Sequence, residues 1–144
     1  MKKRYKILLA ILAVLALAAG SLAVAIHTGP TRALRRAEQF VEEHADTLEP
    51  LLDADAPLPV LPGVVTCSSW DAEHPMDEFL FGFQLGVPYS GCYYSPDDVP
   101  LSFQNASPDL KQDGENRWSW QGRGDNHGAT VKLRDKWYYF EAWF

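Results

Sequence analysis

Residues 117–144 read RWSWQGRGDNHGATVKLRDKWYYFEAWF, and their patterning decides the fold. In 117–121 the side chains alternate, with Trp118 and Trp120 on one face and Arg117, Ser119 and Gln121 on the other. A strand places successive side chains on opposite faces, so this alternation predicts a half-buried strand. Residues 130–134 repeat it, with Val131 and Leu133 inward and Thr130, Lys132 and Arg134 outward. The stretch between them, Gly122 to Gly128, is rich in glycine, Asp and Asn and reads as a hairpin loop. Arg134-Asp135-Lys136 turns the chain again. Residues 137–144 then form a strand that is aromatic on both sides: Trp137, Tyr139, Glu141 and Trp143 on one, Tyr138, Phe140, Ala142 and Phe144 on the other. Three antiparallel strands with one apolar face need a cover.

The cover stands upstream. Over 31–52, Leu34, Ala37, Val41, Ala45, Leu48 and Leu52 recur at helical spacing, widened by Phe40, His44 and Leu51, with charged residues opposite. Thr28 or Thr31 suits the cap, Pro30 the first turn, and Pro50 should end or kink the helix. Pro57, Pro59 and Pro62 stiffen a connector over 53–62. Short β-like runs follow at 63–70, 78–85, 91–95 and 99–104, and 108–116 reads as a loop with a polar DGEN turn. The expectation is an α+β domain, one amphipathic helix packed on a curved antiparallel sheet of five or six strands. Cystatin-like and nuclear-transport-factor-2-like folds share this element order, by analogy.

The first thirty residues have a different character. Ile7 to Ile26 is a run of 20 uncharged residues, about 30 Å long as a helix, behind Lys2, Lys3, Arg4 and Lys6. That is the form of a signal anchor or secretory signal, with residues 1–6 cytoplasmic and 27–144 outside the cytoplasm. The length of the run favours an uncleaved anchor; Ala23-Val24-Ala25 leaves secretion after cleavage near Ala25 as the alternative. Four of the 13 basic residues precede the run, leaving nine against 19 acidic residues, a net −10. So acidic a domain is repelled by phosphate backbones, which argues against nucleic acid as a partner.

There are two cysteines, Cys67 and Cys92, each in a β-like stretch. Outside the cytoplasm one disulfide is the expectation; closing a loop of 26 residues, it is worth about 3.5 kcal/mol in the chain-entropy model. The other reading is a pair of buried free thiols.

Tyr93-Tyr94-Ser95-Pro96-Asp97-Asp98-Val99-Pro100, and Gly124-Asp125-Asn126-His127-Gly128 followed by Trp137-Tyr138-Tyr139-Phe140-Glu141, resemble small exported or membrane-anchored proteins of unassigned function from Gram-positive bacteria, over residues 67–144. The resemblance implies a location and no chemistry.

Candidate chemistry is sparse. Asp125 and His127 sit in the glycine-rich loop, where turn formation competes with any site. Histidines 27, 44, 74 and 127 show no metal-ligand spacing, and no metal or other cofactor is expected. Asp97-Asp98 has turn composition. Glu141, set among aromatics, is the more distinctive carboxylate. Beyond residue 26 the chain carries 17 aromatic side chains, more than a small core readily hides. The leading expectation is therefore a membrane-tethered, non-enzymatic binding module meeting an envelope protein, a glycan or a small ligand. Its binding face would draw on Tyr93, Trp118, Trp120, Trp137 and Tyr139. Two alternatives stand beside it: a small envelope hydrolase using Glu141 with Asp125 or His127, and an accessory subunit of a larger membrane complex. A flat aromatic patch would favour binding, and a concave site joining Glu141 to His127 would favour the enzyme.

Overall fold

A computed structural model of the chain describes residues 11, 13–15, 32–68, 74–81, 89–103 and 109–144, with the backbone alone for 67 and 68. The chain divides into two units, Met1–Arg32 and Ala33–Phe144. In the first, the described positions 11 and 13–15 are helical. Most of the run 7–26 and the expected caps at Thr28, Pro30 and Thr31 lie outside the described residues. Among the described residues no helix is long and apolar enough to cross a membrane.

The second unit is an α+β fold. A helix over 32–52 is followed by seven strands: β1 (Val65–Ser68), β2 (Asp77–Leu80), β3 (Tyr89–Tyr94), β4 (Lys111–Gly114), β5 (Arg117–Gln121), β6 (His127–Arg134) and β7 (Trp137–Trp143). They form one sheet in the order β1-β2-β3-β7-β6-β5-β4, antiparallel throughout. The sheet thus exceeds the five or six strands expected from sequence. The additional strand, β4, is fully exposed. Its sequence, Lys-Gln-Asp-Gly, has no apolar face to announce it, and ladder bonds to β5 hold it at the edge.

The helix buries Ala37, Phe40, Val41, Ala45 and Leu48 against Phe79, Cys92, Tyr94, Trp137 and Tyr139. That spacing is one helical stripe, as the sequence predicts. At its far end the Trp137 indole donates to Glu49 Oε1 at 2.8 Å. The helix outlasts Pro50 by two residues, because a proline in the last turn forfeits one backbone bond only. It closes with Asp55 at φ 49°, Ala56 N–H donating to Leu51 O (2.8 Å) and Asp55 N–H to Leu52 O (3.2 Å). This is a Schellman motif with Asp in the place usually held by glycine.

The opposite face of the sheet is buried too, which corrects the expectation of a single apolar face. Met76, Tyr93, Leu101, Phe103, Trp120, Tyr138, Phe140 and Ala142 form a second core. Residues 99–103, expected to be a strand, pair with none; they lie over this face as a covering segment. Val99, Leu101 and Phe103 have the period-two spacing of a strand, yet the same spacing serves an extended chain laid on an apolar surface. The Tyr93 hydroxyl pins it. It accepts from Leu101 N–H at 2.8 Å, and it lies 2.8 Å from Thr130 Oγ1. Thr130 donates its own proton to Tyr139 O (2.9 Å), and the Tyr93 hydroxyl proton is shared between Leu101 O (3.1 Å) and Thr130 Oγ1. Thr130, expected to face outward, is thereby fully buried.

Cys92 is a buried free thiol, and the expected Cys67–Cys92 disulfide is absent. The ladder explains why. Position 67 is level with Glu78 and Tyr93, whereas Cys92 is level with Phe79, with β2 between the two cysteine strands. Two strand spacings separate them by about 9–10 Å. A disulfide requires Cα atoms within about 7 Å.

Candidate functional site

The two cores dispose of most of the aromatic side chains. Tyr93, Trp137, Tyr139 and Trp120, four of the residues expected to build an exposed binding face, are buried. Trp118 is half-buried and packs edge-on against Tyr138. They are not brought together as a flat patch because each face of the sheet already has a cover.

An open stretch remains on the helix side of β5, β6 and β7. Sheet register brings Ser119, Ala129 and Glu141 into one row, Arg117, Val131 and Tyr139 into the next, and Gln121, His127 and Trp143 into a third. A cleft of about 600 Å³ lies here, lined by Arg117, Ser119, Gln121, His127, Glu141 and Trp143 and flanked by Asp109 and Lys111. No helix residue contributes to its wall. Its volume falls within the range of small-molecule sites.

Glu141 is the best-fixed group in it. Its side chain is only 13 % exposed. Oε2 accepts from the Tyr139 hydroxyl at 3.1 Å, and Oε1 lies 3.7 Å from the Arg117 guanidinium. Burial, and next the Glu141 charge, push the Tyr139 phenol well above its ordinary range, so it stays a donor. Arg117 is held from its other side by Asp113 of β4, 3.4 Å away. The guanidinium therefore spans from the edge strand to the carboxylate on the central strand β7, at roughly half exposure.

His127 begins β6, and its ring lies nearly parallel to Trp143 across the ladder, 4° between planes and 5.9 Å between centroids. Its Nδ1 sits 2.6 Å from Asp125 O. A carbonyl only accepts, so Nδ1 carries the proton and Nε2 is left to meet a ligand. That carbonyl is all Asp125 contributes; its carboxylate is not part of the cleft wall. The rest of the glycine-rich loop is a hairpin turn. Gly124 has φ 70°, and Gly122 N–H donates to Asn126 O at 2.7 Å. Gly128 is required for a different reason. A β carbon there would lie 2.5 Å from the Trp120 ring, which packs over it across the ladder.

Sequence reasoning reached Trp120, His127 and Glu141 and missed Arg117, Ser119, Gln121, Trp143, Lys111 and Asp109. Part of the signal was in view, since Arg117, Ser119 and Gln121 share the outward side of one strand, and Glu141 and Trp143 share a side of another. The register that aligns these sides was not. Among the described residues no group of three or more His, Cys, Asp or Glu is placed to hold a metal ion. Comparison with protein-family models, with curated proteins and with solved structures found no match.

Proposed function

We propose that the chain is a membrane-tethered, extracytoplasmic binding module whose ligand site is the cleft of β5, β6 and β7. One observation carries the reading: polar and aromatic side chains converge on an open concavity of about 600 Å³ beside strands β3 and β7, which are packed on both faces. Leaving such groups uncovered forgoes burial that the rest of the domain exploits, which is the usual mark of a ligand surface. The placement outside the cytoplasm is supported by the uncharged run 7–26 and the basic cluster ahead of it.

A second reading, a small hydrolase, has in its favour the arrangement named for it from the sequence: no flat aromatic patch forms, and His127 and Glu141 line one concave cleft. Binding is preferred because both oxygens of Glu141 already have partners, Tyr139 and Arg117, which suits a fixed acceptor better than a proton shuttle. A thermal-shift screen of polar metabolites and glycans on the intact chain tests the proposal. Hits are expected whose stabilisation disappears in Arg117→Ala and Trp143→Ala. Hits indifferent to both substitutions would overturn the site, and turnover of a hit, lost in His127→Ala, would replace binding with hydrolysis.

A further inference from the structure

We propose that the cleft takes a neutral saccharide, a short run of pyranose rings, in preference to an anion or an apolar molecule. This rests on the binding reading above and names its ligand class. The charges of the lining cancel: Arg117 and Lys111 stand against Glu141 and Asp109. Arg117, the one cation fixed in place, lies between Asp113 at 3.4 Å and Glu141 at 3.7 Å. Recognition of a carboxylate or phosphate works best with a guanidinium free to pair bidentately, and this one is already shared between two carboxylates. An apolar ligand is opposed from the other side, because seating it would desolvate the Glu141 carboxylate, the Arg117 guanidinium, the Ser119 hydroxyl and the Gln121 amide without replacing their water.

A sugar fits both conditions. Each hydroxyl donates and accepts, matching a wall that offers donors (Arg117, Lys111), acceptors (Glu141, Asp109, His127 Nε2 and the Gln121 Oε1, whose Nε2 is bonded to Gly124 O and Asn126 O of the turn) and Ser119, which does both. The C–H face of a pyranose needs a flat apolar partner with a polar rim, and the Trp143 indole beside the parallel His127 ring offers one. The lining runs from Lys111 on β4 to Trp143 on β7, three strand spacings or about 14 Å, which accommodates more than one ring.

The test is isothermal titration of the intact chain in lipid nanodiscs with cellotriose, maltotriose and chitotriose, each on the order of 1–10 mM, the range for weak single-site binding. At least one is expected to bind saturably. Trp143→Ala and Lys111→Ala should each weaken it, the former about tenfold, the equivalent of one well-placed aromatic contact. Lys111 is exposed and outside both cores, so its substitution reads binding apart from folding. Saturable binding of citrate or glucuronate through Arg117, with no response to the three trisaccharides, would keep the cleft as a binding site and overturn the saccharide. No response to any of these probes, or trisaccharide binding unchanged in both variants, would overturn the proposal outright.

Discussion

Replacing Asp98 tests how the sheet is tied to the segment that covers its second face. The residue follows β3 at φ 53°. Its Oδ2 accepts from the Lys132 ammonium at 2.6 Å and Oδ1 from Lys136 N–H at 2.8 Å, while the Tyr138 hydroxyl proton is shared between Oδ1 (3.0 Å) and the Asp98 backbone carbonyl (2.8 Å). Burial alone would raise its pKa; Lys132, the Lys136 amide and Tyr138 outweigh it and hold the carboxyl below the ordinary 3.8. Bonds to a charged acceptor are worth about 1.5–3 kcal/mol each when buried, but this side chain is 37 % exposed and the lysine pair is near water. A net of about 2 kcal/mol for the three is the discounted figure. Alanine also strains the left-handed backbone by about 1–2 kcal/mol. Asp98→Ala should therefore cost about 3–4 kcal/mol, a fall in Tm of roughly 12–16 °C for a domain of this size. Asp98→Asn tolerates the backbone and keeps an acceptor for the Lys136 amide, so about 1 kcal/mol is expected. Thermal unfolding of both variants, followed by near-ultraviolet circular dichroism, separates them. Equal losses in the two, or an alanine variant within about 1 kcal/mol of the parent, would refute the reasoning. The contribution also has a pH signature. Between the native and unfolded pKa the unfolded chain binds more protons, so the stabilisation is fully present above 3.8 and is lost as pH falls through the lower native value. The gap between parent and Asp98→Asn should close over that acid window.

Other expectations follow from particular contacts. Gly128→Ala should destabilise by at least about 1–3 kcal/mol in a denaturant titration, because the added carbon meets the Trp120 ring and the Glu141 carbonyl; a neutral result would mean that the β5–β6 contact is looser than 2.5 Å implies. Cys92 should resist alkylation in the native protein and react in denaturant without reductant, as read by intact mass; a need for reductant would restore a disulfide. Tyr139→Phe removes the hydroxyl from Glu141 and should cost about 1–2 kcal/mol, measured by chemical denaturation, while Glu141→Gln, which retains an acceptor, should cost less. The reverse order would show that Tyr139 does not hold the carboxylate.

What was legible in the sequence is what a single element displays by itself. The stripe from Ala37 to Leu48 announced the helix, and the alternation of 117–121 and 137–144 announced β5 and β7. What stayed hidden depends on pairs of elements. Aromatic residues on both sides of 137–144 suggested leftover surface, because nothing local says that residues 99–103 lie over the second side. The two cysteines looked like a pair until register set them one position out of phase across an intervening strand. The cleft was half visible for the same reason: each strand's outward residues were known, and their alignment into rows of Arg117 with Tyr139 and Ser119 with Glu141 was not. β4 lacked a signal of any kind, being a polar strand held at the edge by its ladder to β5 and the Asp113–Arg117 pair.

The central claim is that the concavity of β5, β6 and β7 is where the protein meets its ligand. Filling it tests this most directly. Ser119 is half-buried on β5, outside both cores, with Glu141 in the same row and Trp143 in the next. Ser119→Trp should occupy the cleft and leave the fold intact, with Asp135→Trp on the exposed β6–β7 turn as the control. The measurement is the thermal shift produced by ligands that stabilise the parent chain. The shift should vanish in Ser119→Trp and persist in Asp135→Trp. An undiminished shift in Ser119→Trp would place the ligand elsewhere and contradict the claim.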